Sequence, residues 1–178
     1  MSILATLISK IDKENLWQKE VTLERNEYLK VKGSTDTNLY YVKNGSLRIF
    51  LLDEQEEQTI RFGYKNNLIT ALDSFLNDQP SDFYIQALKK TTVKVLTKQD
   101  YLAFINASLE HKEIWNEILK SFVLQQMERE RDILTTSPVE RYRRVLKRSP
   151  QLFQEIPNKY IASYLRMTPE TLSRIKKS

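Results

Sequence analysis

The periodicity of this 178-residue chain changes once, near Lys98, and that change constrains the fold more than any other feature. Before it lie short β-rich runs separated by turn residues, and all three glycines, Gly33, Gly45 and Gly63, fall there. Strands repeat every two residues and their turns call on glycine for positive φ. After Lys98 no glycine remains, and apolar residues recur at helical spacing. A β unit followed by an all-helical unit predicts an α+β protein.

In the β region "LYYVKNGSLRIFLL" is the clearest piece, with Asn44-Gly45 as the pair a type I′ hairpin wants. Gly33 and Gly63 mark further turns, "TTVKVLT" at 91–97 reads as a returning strand, and the acidic run "DEQEEQ" at 53–58 as a solvated turn. Short strands so connected suggest a small antiparallel roll or sandwich. Ahead of them Leu4, Leu7, Ile8 and Ile11 share one face of an amphipathic helix. Charges from Lys10 onward and the lack of a basic leader argue against a signal peptide, and no apolar run reaches membrane-spanning length, so a cytoplasmic location is expected.

The helical half opens with "QDYLAFINA", then a helix of some 25 residues from about His111. Ile114, Ile118 and Phe122 form one row and Trp115, Leu119 and Val123 its neighbour. So wide a stripe either packs on the chain's own strands or also pairs with a second copy. "TTSPVERYRRVLKRSP" then starts a new helix, Ser137 capping, Pro138 in the first turn and Glu140 completing a capping box. Val139, Tyr142, Val145 and Leu146 are expected to face inward, with Arg141, Arg144, Lys147 and Arg148 in water.

Composition excludes much. Without cysteine there are no disulfides, thiol nucleophiles or thiolate metal sites. The one histidine, His111, sits among charges and reads as a solvated helix-start residue. No carboxylate pair stands in an apolar setting suited to acid–base work, so no catalytic residue, metal site or enzymatic activity is expected. The net charge of +5 is uneven: from Pro138 onward ten basic residues face three acidic ones, +7, leaving about −2 elsewhere. A basic quarter on a slightly acidic body suits a polyanion binder, or simply a solvated basic face.

The last stretch, "YIASYLRMTPETLSRIKKS", predicts two short helices: Asn158 to Leu165, a break at Arg166-Met167, then a helix from Pro169 capped by Thr168. Ile161, Ala162, Leu165, Met167, Leu172 and Ile175 are spaced to join them across a tight turn, as in a helix-turn-helix. Glu170, Ser173, Arg174 and Lys177 gather on the opposite face, residue types that read base edges and phosphates. A helical hairpin with a polar outer face is the alternative. Arg166 stands where such turns usually place glycine.

"YYVKNGSLRIF" and "IASYLRMTPETLSRIKK", in this order, resemble the CRP/FNR (cyclic-AMP receptor-like) class of bacterial transcription regulators across nearly the whole chain. The resemblance implies a cyclic-nucleotide-binding-like β-roll sensor at 1–110, a dimerisation helix at 111–136 and a DNA-binding unit with a helix-turn-helix at 137–178. Its partners would be double-stranded DNA, a second copy of the chain through the 111–136 helix, and RNA polymerase, with no membrane. By the same likeness Glu170 and Arg174 contact base edges. Lys159, Thr168, Pro169, Ser173, Lys176 and Lys177 complete the expected DNA-binding set, and the basic helix at 141–148 adds phosphate contacts. The usual wing after the recognition helix is missing from the stretch given. The phosphate cassette departs from the family pattern: Thr70-Ala71-Leu72 stands for G-E-L and Ser81-Asp82-Phe83 for R-S-A. Those pocket positions, Ala71, Leu72, Ser81 and Asp82, lack the ribose-binding glutamate and the phosphate-pairing arginine, and Asp82 adds a like charge. No cyclic AMP or cyclic GMP binding is therefore expected; no cofactor is called for, and the roll's pocket either takes another effector or is purely structural. A ligand-binding or protein-interaction module that no longer reads DNA is the competing reading.

Overall fold

The computed structural model describes residues 2–54 and 56–177; Met1, Gln55 and Ser178, which belong to stretches named above, lie outside them. Helix α1 (Ile3–Lys13) opens with Ser2 Oγ accepting from Ala5 N at 3.2 Å, and buries Leu7, Ile8 and Ile11 as their spacing predicts. Eight strands follow: β1 (Lys19–Leu23), β2 (Tyr28–Lys30), β3 (Leu39–Asn44), β4 (Ser46–Asp53), β5 (Glu56–Tyr64), β6 (Leu68–Ile69), β7 (Tyr84–Ala87) and β8 (Thr91–Leu96). They form two four-stranded antiparallel sheets, ordered β1-β8-β3-β6 and β2-β7-β4-β5. Helix α2 (Leu72–Asn77) interrupts between β6 and β7. Val42, Leu47, Ile85, Ala87 and Val93 fill the space between the sheets and are fully buried. This is the expected jelly roll.

One turn is not as expected. Asn44-Gly45 is no hairpin, because β3 and β4 belong to different sheets. Gly45 (φ 90°) carries the chain from one sheet to the other. A Cβ there would lie 2.5 Å from the Lys90 carbonyl, so only glycine lets the two backbones pass. Thr91 closes the crossing, its Oγ1 accepting from Ser46 N at 3.0 Å. The true hairpin joins β4 to β5 through the acidic run, with Asp53 opposite Glu56. That run is therefore strand from Glu56 onward and not simply a solvated turn. Gly63 marks no turn either; it lies inside β5, where a Cβ would collide with Ile69.

Beyond β8 come α3 (Lys98–Asn106), α4 (Leu109–Leu134), α5 (Pro138–Arg148), α6 (Leu152–Glu155), α7 (Asn158–Tyr164) and α8 (Pro169–Lys177). Ile114 and Ile118 of α4 pack with α1 and α3 around Tyr101 and Phe104. His111 joins them. It is 8% exposed, stacks on Phe104 at 4.0 Å and has Nδ1 2.9 Å from the Phe104 carbonyl, so it is a core residue and not a solvated one. Farther along α4, Val123, Leu124, Met127 and Leu134 stand 55–73% exposed. No helix among the described residues is long and apolar enough to cross a membrane.

The terminal helices rest on the roll. Phe62 of β5 and Leu88 share a buried cluster with Val145, Ile161, Leu165 and Leu172. Ser163 of α7 accepts from Thr59 N at 3.3 Å and donates to the Glu57 carbonyl at 3.1 Å. Beneath this contact Arg48, 3% exposed, is held by Gln86 and by both carboxylate oxygens of Glu57 at 2.6 and 2.9 Å, with Tyr160 above it. Those hydrogen bonds from Arg48 are the largest cause keeping the Glu57 pKa below the ordinary glutamate value. A carboxylate whose folded pKa is depressed adds stability that is present above the unfolded pKa of ~4.3 and lost as pH falls through the folded value. Acid melts should accordingly show Glu57→Gln less stable than the parent at pH 7, with the gap closing below about pH 4; a gap independent of pH would contradict the assignment.

Candidate nucleic-acid interface

The α7–α8 pair has helix-turn-helix geometry, and its residues explain the turn. Helix α7 stops where Arg166 enters the left-handed region (φ 54°), with Met167 N donating to the Ala162 carbonyl at 3.1 Å. This is a helix C-terminus of the kind glycine normally supplies, at a cost of ~1–2 kcal/mol for another residue. Arg141 offsets it. Its guanidinium donates to the carbonyls of Leu165 (2.9 Å), Arg166 (3.1 Å), Thr135 (2.6 Å) and Thr136 (3.2 Å). It thus ties the turn to the α4–α5 linker. The Arg166 side chain reaches Gln58 of β5. Helix α8 begins with Thr168 Oγ1 accepting from Thr171 N at 3.2 Å, the expected cap.

The face of α8 is divided as its sequence predicts. Leu172 is fully buried, while Thr168, Pro169, Glu170, Ser173, Arg174, Lys176 and Lys177 are exposed. Among the described residues no ion pair engages Glu170, Arg174 or Lys177. Lys176 Nζ donates to Asn158 Oδ1 at 3.0 Å, and exposed Lys159 lies against the Tyr160 ring.

The basic α5 helix differs from expectation. Arg141 is 9% exposed and wholly committed to backbone carbonyls. Arg144 Nε lies 3.1 Å from Asp132, a carboxylate with no exposure, and its Nη2 lies 3.0 Å from Glu128. Arg148 contacts the same two acids. These three guanidiniums knit α5 to α4 and to the turn, Arg141 buried and Arg144 and Arg148 still partly in water; Arg143 and Lys147 remain exposed. The signal for Arg141 was present, since it lies four residues before Val145 and so on the buried row.

At the cassette positions Ala71 is 2% exposed and caps α2 without a side-chain hydrogen bond, and Leu72 is half-buried. Ser81 is 1% exposed, its hydroxyl accepting from Phe83 N at 3.1 Å. Asp82 does not act as expected: its side chain is 82% exposed beside Lys32 at 3.6 Å, so water screens the charge. Lys30, which sequence reasoning missed, is 4% exposed and donates to the Ser34 carbonyl at 2.6 Å. Burial pushes its pKa down. Phe75 packs in the core against Tyr101 and Trp115.

The cyclic nucleotide-binding domain model matches residues 20–108, half of the chain. No curated protein matches by sequence. Among solved structures the fold is similar to FixK2 from Bradyrhizobium japonicum (16% identity, TM-score 0.73, covering 89% of this chain and 82% of that one). It is also similar to the catabolite activator protein of Thermus thermophilus (20% identity, TM-score 0.61, 99% and 85% covered). A CRP-family transcriptional regulator from the same organism matches too (15% identity, TM-score 0.64, 88% and 82%). The chain belongs to the cyclic nucleotide-binding domain family, and its roll, long helix and terminal helix pair together have the fold of CRP-type regulators.

Proposed function

We propose that the protein is a homodimeric, sequence-specific DNA-binding transcription regulator, cytoplasmic, with RNA polymerase as a further partner. In this reading residues 1–110 are the sensor roll, 111–136 the dimerisation helix and 137–178 the DNA-binding unit. The observation that carries it is the exposed row Glu170, Ser173, Arg174 and Lys177 opposite buried Leu172. A helix so divided, anchored through its apolar side, presents its polar side to a major groove. Arg suits guanine and Glu suits cytosine. Two copies joined through α4 would set two such helices ~34 Å apart, on a near-palindromic site.

Selecting bound sites from random duplex, then mobility shift across salt, tests this; no preference over random DNA would defeat it. Arg174→Ala should cost ~1–3 kcal/mol per half-site and relax discrimination at one base pair of each. Lys177→Ala should weaken all sequences alike and flatten the salt slope by ~0.9 per subunit, hence ~1.8 for the dimer. The competing reading, a ligand- or protein-binding module, draws on the docking of α7 against β5 and on the internal commitment of Arg141, Arg144 and Arg148. Loss of DNA affinity with the fold intact would favour it.

Cyclic nucleotides are not its effectors in this reading. Ala71 offers no carboxylate to a ribose hydroxyl, Ser81 uses its hydroxyl on the backbone, and Lys30 is engaged with Ser34. Without a charge-assisted pair, worth ~1.5–3 kcal/mol, a phosphate has little to hold it. Calorimetry with cyclic AMP and cyclic GMP should show no saturable binding in the low-micromolar range, and such binding would overturn the reading.

A further inference from the structure

A cavity of ≈ 390 Å³ lies where β5, β6, the middle of α4 and the terminal helices meet, and its lining does not include Ala71, Leu72, Ser81 or Asp82. Among the described residues three arginines line it, Arg61, Arg129 and Arg148, and no carboxylate does. Arg148 is compensated from behind by Asp132 and Glu128. The other two have no such direct contact among the described residues. Arg129 is 6% exposed, lies 3.7 Å from the Tyr164 ring centroid, and makes one long hydrogen bond, 3.4 Å to the Thr59 carbonyl. Arg61 is half-buried, with the Phe122 ring at 5.6 Å. Among the described residues neither forms an ion pair. Burial is the largest cause pushing both guanidinium pKa values down, offset only in part at Arg129 by the charge of Asp132.

Buried charges are ordinarily paired, and two arginines that line one cavity without an ion pair leave room there for an anion. Gln125, Gln126, Asn67 and Ser149 add neutral hydrogen-bonding groups, and Phe62 with Leu152 an apolar wall. The volume lies within the ~300–1,000 Å³ range of small-molecule sites.

We propose that this cavity is a binding site for a small, multiply charged anion, a phosphate or carboxylate compound, gripped by Arg61 and Arg129. Planar guanidiniums suit both groups bidentately. An occupant touches β5, α4 and the terminal helices at once, so it would bias how the helix-turn-helix sits on the roll. That last clause rests on the regulator reading; binding itself does not.

Calorimetry on the full chain, in a buffer free of multivalent anions, tests it with pyrophosphate and with citrate. Saturable binding of at least one is expected, weakened tenfold or more in R61Q and R129Q. Heat with pyrophosphate alone assigns a phosphate ligand, and with citrate alone a carboxylate. No saturable heat from either, or binding that survives R61Q, overturns the proposal. If R129Q fails to fold, as shown by circular dichroism, the half-exposed R61Q alone decides. Mobility shift with and without the bound anion reads the coupling separately: a chain that binds the anion but no DNA keeps the site and removes only the regulator reading.

Discussion

The V123E/M127E chain should sediment as a monomer and lose affinity for its selected DNA site by about 10²–10⁴-fold. Val123 and Met127 lie one helical turn apart on α4, at 60% and 55% exposure, with Leu124 beside them and Leu134 farther along. The apolar face of α4 that the chain itself covers, Ile114 and Ile118, lies elsewhere on the helix. An apolar strip on a long helix with no cover from its own chain is what a parallel helix pair buries. In a two-fold pair each residue meets its own copy near the axis, so two introduced glutamates bring like charges together in both subunits. The loss of DNA affinity follows because each half-site then binds alone. The folded state should be spared, since both positions are exposed. Unchanged sedimentation would refute the dimer, and a monomer with undiminished affinity would refute its part in DNA binding.

Replacing Arg141 by alanine should destabilise the protein by about 3 kcal/mol, because buried carbonyls lose their donors. In a chain of this size that corresponds to a melting midpoint lower by roughly 6–12 °C. Four carbonyls depend on this one guanidinium, two in the turn and two in the α4–α5 linker. Arg141→Lys should recover little, since one ammonium cannot serve donors fanned across a plane. Arg143→Ala, in the exposed row of the same helix, should stay within about 0.5 kcal/mol. Equal melting of the Arg141 and Arg143 variants would show that the turn stands without its clamp.

The elements legible in advance were those written into local spacing. Helix α1, the strand at 91–96, the capped start of α5 and the Thr168 cap of α8 all follow from a few consecutive residues. The misread places share another cause. Asn44-Gly45 has the composition of a hairpin, but its partner across the backbone is Lys90–Thr91, far along the chain. His111 and Arg141 look solvated among charged neighbours, yet a Phe104 carbonyl and the turn carbonyls draw them inward. Asp82 looked like an intruder in a pocket and is instead solvated beside Lys32.

The sequence alone determined the order of roll, long helix and helix pair, and which residues α8 can offer on each face, because period and capping act over a few residues. Tertiary structure alone decided which charges are free to act. Arg141, Arg144 and Arg148 are occupied by groups up to 25 positions away, while Arg61 and Arg129 line one cavity and, among the described residues, form no ion pair. Charge belongs to a residue, but its availability depends on desolvation and on partners that only folding brings within reach.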